Sequence, residues 1–280
     1  MKYIDELELE WDIENYDYLH QFRLYDIGTQ HLVHVAKDKI PYEYPNHLYK
    51  FFDNSDNSLA SLLNSYLYFP NPNCFNDPFD CLSNREKYII NGSSDKAAAL
   101  KRRESLGVCC FSLINDNPLM WGHYTNRYKG FCLKFNKTIL NKNIQFKTHV
   151  SYLKNYIPHN ENLQDCIEKL RTKKFNEEFE NGIHNILIMQ FEYSWKYYDW
   201  KYEQEYRAIT LDANAFGRKS EFENKCLEEI YIGYKMKIDC PNYYNLLLDI
   251  LKNHYPHIKI YEVSPDPLLV ELKFKPISTT

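Results

Sequence analysis

The sequence predicts an α+β fold, from its size and from the arrangement of its apolar segments. Its 280 residues are 44% hydrophobic, which is enough to bury a core without disulfide or metal support. Short aromatic and β-branched segments, typical of strands, outnumber helical patterns. Consecutive strands are not separated by the regular helices of a doubly wound sheet. We therefore expect a single domain over residues 46–276, with a mixed or antiparallel sheet core flanked by helices.

The acidic, aromatic segment 1–45 is predicted to be an N-terminal arm outside this domain. It ends at Pro41 and Pro45, and we expect one helix and some extended chain that contacts the domain or a partner chain. His31 and His34 have the i,i+3 spacing of helical metal ligands. Because no third ligand lies nearby in the sequence, we expect no metal site there.

Proline, glycine and capping side chains set the limits of the elements that follow. Asp56 and Ser58 are predicted to cap one helix, Pro118 to open another, and Gly107 to follow the end of a third. The predicted strands cover 47–52, 67–69, 108–112, 130–135, 145–153, 206–211, 229–233, 258–263 and 268–274. The predicted helices cover 59–67, 94–103, 119–124, 160–192 and 243–251.

Charge, glycine content and cysteine spacing exclude several classes of protein. A net charge of −4 provides no general basic field for nucleic acid. The eight glycines form no common phosphate-binding motif, and the eight cysteines include no CxxC pair, which favours reduced thiols packed as small hydrophobes. No apolar run reaches about 18 residues, and the N-terminus is acidic instead of basic and then apolar. We therefore expect a cytoplasmic protein that does not enter a membrane.

The loop 76–80 places three short polar side chains around a proline. Asn76 and Asp77 precede Pro78 and favour a turn in which a side chain accepts a hydrogen bond from the main chain. Because loops on a rigid scaffold often carry function, the same residues are candidates for ligand binding. The sequence leaves both roles open.

A second candidate segment, Trp121–Thr125, gathers an indole, an imidazole, a phenol and a hydroxyl. On a helix, His123 and Tyr124 point about 100° apart. One of them is therefore expected in the core and the other in a site. For His123, a structural role and a functional role remain alternatives.

The segment 196–207 is the densest cluster of polar and aromatic residues. If a strand begins at Glu203, the period of two puts Glu203, Glu205 and Arg207 on one face. One interpretation is a row of ion pairs on a solvated face. The other is a carboxylate that Arg207 holds in position, either to orient a hydroxyl or to stabilise a developing cation.

These motifs resemble a prokaryotic family known as domain of unknown function 2971. The residues that carry the resemblance lie in order between about Leu48 and Phe274. They are Phe75–Asp80, Cys110–Ser112, Leu119–Tyr124, Lys129–Phe135, the run from Lys196 through Trp200 to Arg207, and Glu229–Gly233. The family name supplies no activity, and its distribution implies an accessory or defence role in bacteria and phages.

The order of strands is in turn similar to that of ADP-ribosyltransferases. In those enzymes a first strand carries Arg or His, a second carries Ser, Thr or Tyr, and a late strand opens with Glu. The resemblance assigns Tyr49 or Lys50 to the first position, Ser112 to the second, and Glu203 or Glu205 to the third. Two features depart from that superfamily: the first strand has Tyr-Lys, and the Trp-Gly-His-Tyr segment has no counterpart.

The resemblance implies an enzyme that uses NAD and no metal, and that either transfers ADP-ribose to a protein or nucleic acid or hydrolyses NAD. Breaking the bond between nicotinamide and ribose builds an oxocarbenium-like cation, which a carboxylate under the sugar stabilises. Aromatic side chains beside it would clamp the nicotinamide. The catalytic candidates are therefore Glu203, Glu205, His123 and Tyr124, and the ligand-binding candidates are Tyr49, Lys50, Ser112, Trp121, Arg207, Asn76 and Asp77.

Two other functions fit the same residues. A metal-independent nuclease toxin would use His123 as acid and base and Glu203 as the orienting group. Its phosphate contacts would be Arg207 and Lys129, and it predicts a basic patch beside His123, to which Arg127 would contribute. A non-catalytic sensor or interaction domain would instead bind a partner with its aromatic surface and N-terminal arm.

Overall fold

The structure, a computed structural model of the chain, describes residues 3–9, 18–25, 30–36, 45–77, 79–81, 101, 103–140, 146–153, 193, 195–210 and 213–277. Its contacts divide the chain into two compact units. The N-terminal unit comprises Met1–Glu43, Asn71–Leu106 and Phe146–Lys201, and the sheet unit comprises Tyr44–Pro70, Gly107–Gln145 and Tyr202–Thr280. The two units alternate along the chain. The division into an arm over 1–45 and a domain over 46–276 stays a prediction.

Strands outnumber helices in the part of the chain that is described. The strands are β1 (Tyr3–Leu9), β2 (Tyr18–Tyr25), β3 (Gln30–Ala36), β4 (His47–Phe52), β5 (Tyr66–Tyr68), β6 (Gly107–Ser112), β7 (Phe131–Asn136), β8 (Phe146–His149), β9 (Ser151–Leu153), β10 (Trp195–Tyr197), β11 (Glu205–Thr210), β12 (Lys219–Glu221), β13 (Leu227–Gly233), β14 (Lys259–Asp266) and β15 (Glu271–Pro276). The α-helices are α1 (Asp56–Leu63), α2 (Pro118–Tyr124), α3 (Ala213–Phe216), α4 (Tyr234–Asp239) and α5 (Pro241–His254). Short 3₁₀ helices cover Pro72–Cys74, Lys137–Leu140, Tyr198–Glu203 and Asn224–Cys226.

Two of the predicted helices cover residues that lie wholly or mostly outside the described part of the chain. The helix over 160–192 lies outside the described residues, as does most of the one over 94–103. None of the helices that are described is both long and apolar enough to cross a membrane.

The N-terminal unit contains strands where the sequence predicted one helix. Its first three strands form an antiparallel sheet in the order β1–β2–β3, and β9 pairs with β10 in parallel. Aromatic and β-branched residues recur in β2 and β3 and favour a pleated backbone over a helix. His31 and His34 both lie on β3 and not on a helix.

Seven strands of the sheet unit form one mixed sheet, in the order β15–β14–β13–β7–β4–β6–β11. Neighbouring strands are antiparallel except β13 and β14, which are parallel and are connected through α4 and α5. The predicted α+β class, with a mixed sheet and flanking helices, is confirmed. Strands β4, β6, β7 and β11 begin and end within one residue of their predicted limits.

The two faces of this sheet differ. On one face, α1 and α5 cover a large apolar core that includes Phe111 of β6 and Leu247 of α5. On the other face, Trp121 of α2 packs with Cys132 and Tyr231. The seven cysteines among the described residues are free thiols, and Cys132 is one of those that are fully buried.

Helix α1 is capped by a different residue from those predicted. The side chain of Ser55 accepts a hydrogen bond from the Ser58 N–H at 3.3 Å, so Ser55 is the N-cap. Ser58 lies inside the first turn, and its hydroxyl donates to Asp53 Oδ1 at 2.6 Å. Asp53, before the helix, therefore fixes both serines, since the Ser55 hydroxyl also donates to it at 2.6 Å.

Two glycines bring separate parts of the chain into backbone contact. The Gly233 N–H donates to the Gly130 carbonyl oxygen at 3.0 Å. A Cβ at Gly233 would lie 2.2 Å from the Tyr128 carbonyl oxygen, and one at Gly130 would lie 2.0 Å from the Phe52 carbonyl oxygen. Backbone atoms of packed segments cannot turn aside as a flexible side chain does, so both positions require glycine.

We expect Gly233→Ala to lower the free energy of unfolding by about 3 kcal/mol, the upper end of the usual cost of overpacking. Gly122→Ala is the matched control, because Gly122 is in α2 and a Cβ there would meet nothing within 4 Å. That control should be neutral or stabilise by up to about 1 kcal/mol. Urea denaturation of the three proteins measures both effects, and equal effects of the two substitutions would contradict the close contact at Gly233.

Candidate functional site

Helix α2 fixes Trp121 inside the protein. The helix begins with Pro118 after Asn117, whose side chain accepts the Leu119 N–H at 2.9 Å. Trp121 is fully buried, and its indole N–H donates to the Asn115 carbonyl oxygen at 2.7 Å. The sequence assigned Trp121 to ligand binding. The structure encloses it in the core, so its ring is part of the packing under the site and not of a ligand surface.

A left-handed turn follows α2. Asn126, Arg127 and Tyr128 have φ values of 48°, 60° and 68°, a conformation that costs about 1 kcal/mol or more for each non-glycine residue. Thr125 holds the turn: its hydroxyl donates to the Trp121 carbonyl and accepts the Tyr128 N–H at 3.1 Å. The ring of Tyr128 stacks on Trp121, with centroids 5.9 Å apart. Trp121 and Thr125 therefore have a structural function, which is to return the chain from α2 to β7.

Tyr124 and His123, which the sequence left as alternatives, are placed differently. Tyr124 is half-buried, and its hydroxyl donates to Glu203 Oε1. His123 is exposed, with its ring centroid 6.2 Å from that of Tyr202. Tyr124 thus contacts a predicted catalytic carboxylate, while His123 lies at the surface beside it.

Glu203 does not lie on the strand that the sequence predicted for it. It ends the 3₁₀ helix Tyr198–Glu203, and the next residue, Gln204, has a φ of 43°. The Gln204 carbonyl accepts the Leu113 N–H at 3.0 Å, which fixes this kink against the end of β6. Strand β11 therefore starts at Glu205, and only Glu205 and Arg207 share a strand face.

A hydroxyl joins the Glu203 segment to the sheet. The Ser112 Oγ donates to the main-chain oxygen of Glu203 at 2.6 Å and accepts the Ile114 N–H at 3.2 Å. Ser112 and Glu203 are both buried, with 1% and 3% of their surface exposed. Ser112 is therefore a positioning residue, which ties the carboxylate-bearing kink to the end of β6.

Glu205 and Arg207 form a buried ion pair. The Arg207 Nε donates to Glu205 Oε1 at 2.7 Å, and a second guanidinium nitrogen donates to Oε2 at 3.2 Å. Only 4% of Glu205 and none of Arg207 is exposed. The interpretation of this row as ion pairs on a solvated face is therefore wrong, and the paired guanidinium keeps a negative charge in place inside the protein.

Three predicted site residues lie in one row across three neighbouring strands. Ser112 on β6 is the register partner of Tyr49 on β4 and also of Glu205 on β11. Directly paired residues of antiparallel strands carry their side chains on the same face, with Cβ atoms about 4.5–5.5 Å apart. The row thus brings together a phenol, a hydroxyl and a carboxylate.

Lys50, the alternative to Tyr49, is on the opposite face of β4. Its Nζ donates to the Cys110 carbonyl at 3.1 Å and lies 5.6 Å and 5.7 Å from the ring centroids of Phe52 and Phe111.

Burial raises the pKa of Tyr49 to about 12. The phenol in the row is therefore protonated at neutral pH and is a hydrogen-bond donor.

Asn76 and Asp77 belong to the N-terminal unit. The Phe79 N–H donates to Asp77 Oδ1 at 2.9 Å, which is the side-chain turn that the sequence predicted. Asp77 is buried, whereas Asn76 is exposed. In the same unit, Lys196 forms a buried ion pair with Asp80 at 3.5 Å. A structural role thus accounts for Asp77.

Residues 120–208 match the model of a family described as a protein of unknown function (DUF2971). The predicted resemblance is confirmed over that segment, which contains Trp121–Thr125 and Glu203–Arg207. Three of the motifs that carried the resemblance, Phe75–Asp80, Cys110–Ser112 and Glu229–Gly233, lie outside the matched residues. No curated protein and no solved structure matches the chain.

Proposed function

We propose that this chain, with its segment of the DUF2971 family, cleaves the bond between nicotinamide and ribose in NAD, as an ADP-ribosyltransferase-like enzyme or an NAD hydrolase. The row Tyr49–Ser112–Glu205 is the observation that carries the proposal. The resemblance requires an aligned series of side chains on three strands, and the register supports that requirement. The proposal includes a cytoplasmic setting, which the composition and cysteine spacing of the sequence favour, and a role in bacterial or phage defence, which the family resemblance implies.

The chemistry needs a fixed negative charge, and Glu205 supplies one. When the C1′–N bond breaks, its electron pair leaves with nicotinamide and the ribose becomes an oxocarbenium-like cation. A carboxylate held beside the cation lowers the barrier because it does not reorganise as charge develops. Arg207, bound through both carboxylate oxygens, holds Glu205 ionised and oriented.

A second carboxylate is available for the proton that the reaction releases. Water or an acceptor nucleophile adds to C1′ and must lose a proton. Glu203 precedes the strand by two residues and is hydrogen-bonded by Tyr124, so we assign the proton to Glu203. The protonated phenol of Tyr49 and its ring provide a donor and an apolar surface for nicotinamide. These groups fit the NAD substrate in chemical type.

The other two functions have less support from the contacts. The two cations assigned to phosphate contacts in a nuclease are already engaged, since Arg207 binds Glu205 and Lys129 binds Asp239 at 3.3 Å. The non-catalytic alternative is supported by the burial of the Glu205–Arg207 pair, because a buried ion pair is also expected where the two residues have a purely structural role. Activity measurements separate this alternative from catalysis, because a structural pair affects the melting temperature but produces no nicotinamide.

The test is the release of nicotinamide from NAD by the purified chain, measured by chromatography. Wild type is expected to release nicotinamide, and the double variant Glu203→Gln/Glu205→Gln to release none. Glu221→Gln is the matched control, because Glu221 is exposed on β12, and it should keep wild-type activity. A thermal melt checks the folding of each protein. Absence of release from wild type, together with no shift of its melting temperature by NAD, would overturn the proposal.

A further inference from the structure

The row Tyr49–Ser112–Glu205 continues across two further strands of the same sheet. Tyr49 on β4 is also the register partner of Lys134 on β7, and Lys134 is in turn the partner of Glu229 on β13. Directly paired residues carry their side chains on one face. Here Lys134 Nζ lies 3.3 Å from Glu229 Oε1, as that pairing requires. A cation and a carboxylate therefore lie beside the phenol that the proposed function places against nicotinamide.

Buried aromatic side chains hold Glu229 in position. The Tyr231 hydroxyl donates to Glu229 Oε2, and only 6% of Tyr231 is exposed. The Tyr231 ring stacks on that of Tyr261, with centroids 5.3 Å apart, and contacts Phe274 edge to face. Burial and the hydrogen bond to Glu229 raise the pKa of Tyr231, so its hydroxyl remains a donor at neutral pH. The carboxylate is thus fixed by the protein itself.

Lys134 and Glu229 keep hydrogen-bonding capacity that their ion pair does not use. The ammonium group has three N–H bonds, and the carboxylates of Glu229 and, at 3.9 Å, Glu228 can engage two of them. The Glu229 carboxylate has about four lone pairs, and Lys134 and Tyr231 engage one on each oxygen. The side chains of Lys134 and Glu229 are 15% and 14% exposed, so a ligand can reach both. A donor and an acceptor are therefore presented side by side.

A donor next to an acceptor matches a primary carboxamide, which has a carbonyl oxygen and two N–H bonds. Nicotinamide carries such a group on its ring. From Glu205 the row passes over β6 and β4 to Lys134 on β7. These three steps cover about 14 Å at about 4.8 Å per step, which is room for the ribose carbon, the pyridine ring and the carboxamide with a contact at each end. A carboxylate in place of the carboxamide would be repelled by Glu229.

We propose that Lys134 and Glu229 recognise the carboxamide of nicotinamide and determine the specificity of the NAD site. Lys134 donates to the carboxamide oxygen, and Glu229 accepts a hydrogen bond from the carboxamide nitrogen. The ring then lies over Tyr49, and its bond to ribose points towards Glu205. This inference rests on the proposed function, because it adds the residues that select the leaving group of that reaction.

Binding of free nicotinamide and free nicotinate to the full chain, measured by titration calorimetry, tests the assignment without any cleavage. The two ligands share one ring and differ in having a neutral carboxamide or a carboxylate. Wild type is expected to bind nicotinamide at least about tenfold more tightly, because Glu229 accepts from the carboxamide and repels the carboxylate. Lys134→Met removes the donor and is expected to weaken the binding of nicotinamide about tenfold.

Glu229→Gln is the decisive variant, because a purely structural role would produce no gain in binding. The glutamine oxygen can still accept the Tyr231 hydroxyl, so its nitrogen takes the position of Oε1 and becomes a donor. Nicotinamide should then bind about tenfold more weakly, and nicotinate about tenfold more tightly.

Asp239→Asn is the matched control for the loss of a carboxylate. Asp239 is exposed on α4, and its Oδ2 also lies 3.3 Å from a lysine Nζ, that of Lys129. The substitution therefore removes the same charge from an ion pair outside the row, and both affinities should stay at the wild-type values. A thermal melt checks the folding of every variant.

Two results would overturn the inference: a wild type that binds nicotinamide no more tightly than nicotinate, or a Glu229→Gln variant with the preference of wild type. Release of nicotinamide from NAD is a separate readout. Release without any preference for the carboxamide overturns this inference and leaves the proposed function intact. A carboxamide preference that Glu229→Gln reverses, without release, supports the recognition site and contradicts the cleavage.

Discussion

Arg207→Met is expected to lower the free energy of unfolding by about 3–5 kcal/mol. Arg207 has no exposed surface and binds both carboxylate oxygens of Glu205, which is itself 4% exposed. Methionine has a similar length and fills the volume, so the loss of packing is small. The carboxylate, however, is left buried without its bidentate partner. Urea denaturation near neutral pH gives the change directly.

A double-mutant cycle assigns that loss to the pair. The combined variant Glu205→Leu/Arg207→Met removes both charges. Its loss of unfolding free energy should be smaller, by about 2 kcal/mol or more, than the sum of the losses in Glu205→Leu and in Arg207→Met. Arg127→Met is the control, since Arg127 is exposed, and it should change stability by less than about 0.5 kcal/mol. Additive single effects would show that the two groups do not depend on each other.

Glu205→Gln is expected to lower kcat for NAD cleavage by about a thousandfold, which is the scale of removing one group that stabilises charge in the transition state. Glutamine has nearly the same shape but no charge, so the KM for NAD should change much less than kcat. The Tyr49–Ser112–Glu205 row is the reason for choosing this carboxylate over Glu203. Steady-state kinetics of nicotinamide release provide both constants, at a temperature where a melt shows each variant to be folded.

The kinetics of Glu203→Gln and Tyr124→Phe are compared with those of Glu205→Gln to test the roles of the three residues. If Glu203 takes a proton and Tyr124 only positions it, the first should lower kcat by about a hundredfold and the second by about tenfold or less. The pH dependence of kcat should weaken in Glu203→Gln and persist in Tyr124→Phe. A larger loss from Glu203→Gln than from Glu205→Gln would reverse the roles of the two carboxylates.

The central strands were predictable from the sequence because each is a short apolar segment bounded by glycine, proline or polar residues. Strand β6, with Val108 to Phe111 in its interior, and β7 are of this kind. The kink before β11 was not predictable, since the left-handed residue is Gln204, where neither glycine nor asparagine marks the turn. The sequence therefore put Glu203 and Glu205 on one strand, and only the structure separates them.

The roles of the aromatic residues in the Trp121–Thr125 segment were predictable only in part. Trp121 was expected at a ligand because aromatic residues serve both packing and binding, and its burial depends on contacts with distant residues such as Phe51. The choice between Tyr49 and Lys50 likewise depended on which residue of β4 pairs with Ser112 of β6. Such cross-strand register is set by long-range pairing and not by local preference.

The candidate row has a consequence for the synthesis of the chain. The segments that form it are far apart in sequence. Ser112 is hydrogen-bonded to Glu203, which lies 91 positions later and just before β11. Lys50 on β4 is hydrogen-bonded to Cys110 on the neighbouring strand β6, which lies 60 positions later. Contacts between such distant positions raise the contact order, and high contact order slows folding. A nascent chain that has passed β6 still lacks the carboxylate strand, and β7 still lacks its partner β13. The row can therefore form only after β11 has been synthesised and has left the ribosome.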